Sequence, residues 1–228
     1  MAQFPWPIYR IFVMISTFQS LLLRGLDAAK LSPSKFNETL QIHGIVPWII
    51  PTAPPQVCEV EWGKEVIHLG NKNLTEPEIE KPPSLVKWRT KKGALYTLIM
   101  FGPDVPTPEN PCEMMWRHWS VGNIPGTAIS KGDTIVEYEN IEPFYRAGIH
   151  RVLFLIYQQN QTARLDFNQS RYIKKGAKWE VRGVWYFDMF QKKYNLTKLV
   201  AINFFYLYNL DPHPDVPQPS VPPRFPVG

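Results

Sequence analysis

Short apolar runs punctuated by proline, glycine and asparagine dominate this chain, and apolar residues at helical spacing are scarce. "VCEVEW" (Val57–Trp62) alternates apolar and polar positions, the pattern of a half-buried strand. "VIHLGNKNLT" reads as a second strand followed by a turn, and Pro82-Pro83 precede another strand ending at Trp88. "ALYTLIMF" is a continuous apolar run between turn residues, the mark of a central strand. "WSVGNI" and "VLFLIYQQ" repeat that buried type, "LVAINFFYLYN" is a last strand, and "DTIVEYE" and "KWEVRGVWYF" read as strands or strand–helix edges. Helix signals are confined to two places. One runs from Pro33 to about Gln41 with Ser32 as its cap. The other is "RGVWYFDMFQKKYN", where Val184, Phe187, Met189, Phe190 and Tyr194 share a broad face. Many short strands with few helices predict a mainly β fold, an antiparallel β-sandwich with small peripheral helices.

The two ends have a different character. Arg10 precedes an apolar run from Ile11 to Leu23, with small residues following at Ala28 and Ala29. That run is short for a membrane span, which needs about 20 residues. It fits the core of an export signal over residues 1–29, the rival being a signal anchor. A secreted chain with no membrane span after cleavage is the expectation. Residues 211–228 carry Pro at every second or third position and are expected to form an extended tail. The folded body is then expected over residues 30–210. Asn-x-Ser/Thr triplets begin at Asn37, Asn73, Asn160, Asn168 and Asn195, candidate glycosylation sites in an exported protein. The two cysteines, Cys58 and Cys112, are expected to bridge in an oxidising compartment, the alternative being two separate buried thiols.

Composition narrows the chemistry. The 228 residues carry 44% hydrophobic and 14% aromatic residues, enough for a sizeable core. The net charge of +5 comes from scattered lysines and arginines, a solvated basic surface rather than a nucleic-acid stripe. There is no glycine-rich phosphate loop, no G-x-S-x-G elbow and no paired metal-ligand spacing. His43, His68 and His213 have no partners at ligand spacing and read as surface or turn histidines. No motif supports a hydrolase, and no catalytic residue, metal or cofactor is expected.

Three blocks then stand out in order: "GPDVP" (Gly102–Pro106), "WRHW" (Trp116–Trp119) and "GIHRVLFLIYQQ" (Gly148–Gln159). They resemble the D-P-D-A-P, W-H-H and G-x-H-R blocks of the phosphatidylethanolamine-binding proteins, also called Raf kinase inhibitor proteins. The resemblance runs from about Phe36 to Leu210, with "FQKKYNLTKLVAINFFYL" similar to the family's last helix and strand. It implies a Greek-key β-sandwich of two antiparallel sheets with peripheral helices. It also implies a small pocket for phosphate-bearing or lipid-headgroup ligands, in which imidazoles and backbone N–H groups donate to phosphate oxygens. His118 and His150 match the family's pocket histidines, and Trp116 and Pro106 match its wall and floor. Asp104 and Arg151 match a pair read here as structural, pinning the loop to the sheet, because a buried carboxylate needs a partner.

The departures fall in the pocket. Gly102 stands where the first Asp of the motif is expected, Val152 where a Tyr commonly follows H-R, and Glu113 where the preceding loop usually has Tyr. Glu113 either replaces the missing carboxylate or points to water. Proline from Pro212 to Pro223 forbids the helix that usually closes the family's chain. Two functions follow from the resemblance. One is a secreted binding protein with a partly degenerate anion pocket. The other is a secreted protein-interaction molecule engaging an extracellular partner, with His118 and His150 merely buried core histidines.

Overall fold

The computed structural model describes residues 31–105, 115–140, 148–167, 172–183 and 185–209. They divide into two compact units, one ending at Ala53 and the other beginning at Pro54. In the first, α1 (Pro33–Ile42) starts as expected: the Ser32 hydroxyl accepts from the Lys35 amide at 3.3 Å and Pro33 occupies the first turn, where no N–H is needed. Phe36 and Leu40 supply its buried face.

The second unit is built of two sheets. β1 (Glu59–Trp62), β2 (Glu65–Ile67) and β4 (Leu85–Lys87) form a three-stranded sheet in the order β2-β1-β4. β3 (Asn73–Thr75), β5 (Leu95–Gly102), β6 (Trp116–Pro125), β7 (Asp133–Val136), β8 (Gly148–Gln158) and β9 (Lys198–Asn209) form the larger one, in the order β3-β9-β8-β5-β6-β7. Pairing is antiparallel except between β3 and β9, which run parallel, so the larger sheet is mixed rather than purely antiparallel. Between the sheets lies one continuous core, with Val60, Trp62 and Trp88 meeting Leu98, Met100, Phe154 and Phe205. Trp62 packs edge-on against Phe205, ring centroids 5.2 Å apart.

Strand β5 is buried on both faces, which explains its uninterrupted apolar sequence. Behind it, Phe101 stacks on Phe187 of α3 (Phe187–Lys193) at 5.4 Å, and the Tyr157 hydroxyl accepts from Gln191 at 2.7 Å. The late helical pattern is therefore split. Trp179–Arg182 forms the short α2, and α3 begins only at Phe187, with Asp188 in its first turn and Lys192 and Lys193 in its last, complementing the helix dipole. Asn203 stitches the two sheets together. Its amide donates to the Cys58 and Ile67 carbonyls at 2.7 and 2.9 Å and its oxygen accepts from the Leu69 amide at 2.9 Å. Among the described residues no helix is long and apolar enough to cross a membrane.

Candidate functional site

The three sequence blocks meet where β5 leaves the large sheet. β5 is flanked by β8 and β6, so Asp104, His150 and His118 come from three neighbouring stretches of backbone. Asp104 is wholly buried just beyond the last β5 residue, and Arg151 neutralises it through a two-pronged contact: Nε to Oδ2 at 2.8 Å and Nη2 to Oδ1 at 2.5 Å. The Arg151 amide adds a third bond to Oδ2 at 2.8 Å. Planar guanidinium matches carboxylate geometry, and this pairing holds the Arg151 guanidinium charged, its pKa raised. The loop after β5 is thereby clamped onto β8.

His150 precedes that arginine, on the face of β8 that carries Val152, Phe154 and Ile156 into the core. Its Nδ1 lies 3.0 Å from the Asp104 carbonyl oxygen. On the opposite side of β5, Trp116 pairs with Gly102, Arg117 with Phe101 and Trp119 with Met100, leaving His118 as the extra residue of a β-bulge. Bulges re-aim side chains at sheet rims and beside sites. The His118 ring is wholly buried, with Nδ1 2.9 and 2.8 Å from the carbonyl oxygens of Glu139 and Asn140. Burial lowers its pKa to about 4; the two carbonyls act to raise it, and Arg182 pushes it down further. Gly102 and Trp116, paired across β5 and β6, occupy the rim of the sheet between the two histidine clusters.

Behind His118 is a buried charge network that sequence reading missed. Arg182 has no exposed surface, and its Nε lies 2.6 Å from Oε2 of the nearly buried Glu139. Its other nitrogens donate to main-chain carbonyls of Arg117 at 2.9 Å, Glu137 at 3.1 Å and Lys174 at 2.8 Å. Glu139 Oε1 accepts from the Gly176 amide at 2.8 Å. Nothing local marks this pair, since Glu139 lay in an alternating strand pattern and Arg182 in a mixed aromatic stretch. Arg117 sits over the Trp185 ring, 5.3 Å from its centroid, and donates to the Val181 carbonyl; burial and nearby Arg182 bring its pKa down to about 10.

Pro106, Cys112, Glu113 and Asn168, with the expected export signal and Pro-rich tail, lie outside the described residues. Cys58 is a free thiol, fully buried between the sheets with its pKa raised by burial, and Cys112, its expected partner, lies outside the described residues. Its side chain is committed to the closed core, where Val60 and Trp62 also point. Asn73, Asn160 and Asn195 are exposed, and Asn37 is half-buried on α1. The Asn160 amide donates to Thr197 Oγ1 at 3.0 Å, so two of the triplets adjoin.

The family profile described as "Phosphatidylethanolamine-binding protein" matches residues 63–205, most of the chain. The chain belongs to that family. Its sequence is 34% identical to "Putative odorant-binding protein A5" of Drosophila melanogaster over 163 residues, covering 71% of this chain and 74% of that protein. It is 36% identical to the "26 kDa secreted antigen" of Toxocara canis over 117 residues, 51% of this chain and 44% of that one. Among solved structures, a carboxypeptidase Y inhibitor complexed with its cognate proteinase superposes with a TM-score of 0.59 at 21% identity, covering 75% of this chain and 94% of that one. A phosphatidylethanolamine-binding protein from Plasmodium vivax superposes with a TM-score of 0.55 at 18% identity, over 75% and 96%. At those identities the structural matches speak for the fold.

Within this phosphatidylethanolamine-binding protein framework, the deviations have physical content. Val152 is completely buried in the inter-sheet core, a packing residue where a phenol would need a polar partner. Gly102 is a paired β5 residue in extended backbone rather than in a conformation reserved for glycine.

Proposed function

We propose that this chain is a secreted, non-catalytic binding protein whose small-molecule pocket lies at the rim of the large sheet, between His118 and His150. The observation that carries this reading is the frame around the site. Asp104 clamps Arg151 and anchors His150, while Trp116 and the bulged His118 stand across β5. Several kcal/mol of buried polar interaction there serve geometry rather than exposed chemistry. Each imidazole spends one nitrogen on a main-chain carbonyl, the bond of a positioned ligand group rather than of a nucleophile's base. The export-like N-terminus and five glycosylation triplets support secretion, as do the printed names of the odorant-binding and secreted-antigen relatives.

The test is calorimetric titration of mature protein, recovered from the medium of secreting cells, with phosphate and phosphoethanolamine. Binding that His150→Ala weakens at least tenfold supports the pocket; equal binding by both proteins overturns it. Mass spectrometry of the same material should find a start near Ala29 and a glycan on at least one triplet, and an intact N-terminus without glycan would refute secretion.

One observation favours a second reading, a protein-interaction role. Val181, Tyr186 and Met189 on the α2–α3 segment are largely exposed apolar side chains, and the carboxypeptidase Y inhibitor of similar fold acts on a protein.

A further inference from the structure

Arg117 and Arg182 lie side by side behind His118, and the buried carboxylate there, Glu139, is taken by Arg182 at 2.6 Å. Among the described residues no carboxylate pairs with Arg117. Its Nη2 donates to the Val181 carbonyl at the surface, while its Nε is buried without a hydrogen-bond partner. Desolvation and the neighbouring Arg182 both work against its charge, yet with a pKa of about 10 it is still a cation at neutral pH. Nearby Glu137 is occupied by the Tyr172 hydroxyl and by the Lys175 amide at 2.7 Å. Arg117 is thus a half-buried guanidinium short of a counter-charge.

The surface around that guanidinium is apolar and held in place. Arg117 lies over the Trp185 ring, and that ring is packed by Phe101, Phe187 and Phe190 with centroids 6.3, 5.4 and 5.4 Å away. Beside it Val181, Tyr186 and Met189 are 46%, 54% and 61% exposed, so these side chains stand out of the surface instead of lining a cavity. Arginine, tryptophan, tyrosine and methionine are the residue types that protein interfaces concentrate. A rigid aromatic platform with one uncompensated cation asks for an apolar contact and an anion together.

We infer that the α2–α3 face docks a segment of a partner protein in which an acidic side chain stands beside large apolar ones. The carboxylate meets Arg117, and the apolar side chains pack on Trp185, Tyr186 and Met189. Exposed Lys178, whose carbonyl accepts from the Val181 amide at 3.0 Å, adds charge of the same sign. Asp188, the acidic residue of the first α3 turn, is engaged by Lys192 at 3.4 Å. A second copy of the chain fits less well, because the net charge of +5 repels its own kind. A membrane surface is held by clusters of several cations, which this face does not concentrate. The inference rests on the protein-interaction reading above and is independent of the pocket.

The experiment is selection of binders from a phage-displayed library of random peptides on the purified, folded protein. Enriched peptides are expected to carry aspartate or glutamate beside leucine, phenylalanine or tryptophan. The leading peptide, synthesised and titrated by fluorescence polarisation, should bind Arg117→Gln and Met189→Asp about tenfold or more weakly than wild type. Its affinity should fall as salt is added, and Lys87→Gln, an exposed cation on the small sheet, should leave it unchanged. Met189→Asp alters an exposed side chain and decides the matter alone if Arg117→Gln fails to fold. Enriched peptides without acidic residues, or a lead that binds both α2–α3 face variants as tightly as wild type, overturn the inference while leaving a protein-interaction role elsewhere standing. No enrichment at all removes the inference together with that reading. Arg117-dependent cosedimentation with phosphatidylserine vesicles, or a dimer in analytical ultracentrifugation that Met189→Asp dissolves, overturns it as well.

Discussion

Arg182→Met is the substitution that tests the buried network most sharply. Methionine preserves much of the side chain's length and apolar stem but removes the charge and every donor. Glu139, 7% exposed, would then keep its negative charge with the Gly176 amide as its remaining described partner. Carbonyls of Arg117, Glu137 and Lys174 would lose a charged donor at 2.9, 3.1 and 2.8 Å. Breaking a buried ion pair from one side costs about 3–5 kcal/mol, and losing charge-assisted hydrogen bonds to carbonyls acts in the same direction. The exposed pair Arg164–Asp133 sets the contrast: its side chains are 53% and 33% exposed, and removing it should cost at most about 1 kcal/mol. Urea unfolding is the assay. At a slope of about 2 kcal/mol per molar urea, the midpoint should fall by roughly 1.5–2.5 M with the slope unchanged. Arg182→Met/Glu139→Gln should lose less than the two single variants summed, because the orphaned charge is removed with its partner. A midpoint within about 0.5 M of wild type, or strict additivity in the double variant, would refute the claim that this pair locks the segment behind His118.

Three further outcomes are expected. His118 has a folded pKa of about 4 against an ordinary 6.5, so the unfolded chain binds the proton first as pH falls. Stability should therefore decline from about pH 6.5 toward pH 4, by up to ~3 kcal/mol, and level off below; His118→Gln should flatten that slope in pH-dependent urea melts. Asn203→Leu should cost about 3–4 kcal/mol in the same assay, because the Cys58 and Ile67 carbonyls and the Leu69 amide lose their partners inside the core; a loss under about 1 kcal/mol would show that the sheets do not depend on it. Cys58 should resist a thiol reagent in native protein and react after unfolding without reductant, and failure to label in that state would restore the bridge to Cys112.

The strand inventory was legible in sequence because its signals are local. Alternation in Glu59–Trp62, the unbroken apolar run of Leu95–Gly102 and the Ser32-Pro33 helix start each depend on neighbours a few residues away. The blocks around Asp104, His118 and His150 were readable too, since each is a contiguous motif in a resembling family. Tertiary structure alone decided who partners whom. Glu139 and Arg182 are 43 positions apart and Asn203 lies 145 from Cys58, and no local pattern distinguishes them from a surface charge pair or a strand-end amide. The bulge that aims His118 is a mismatch between two strands, and the parallel pairing of β3 with β9 is a property of the assembled sheet. The same separation governs the site's chemistry: sequence named the imidazoles, but the carbonyls that set the His118 tautomer come from a segment brought alongside only by folding.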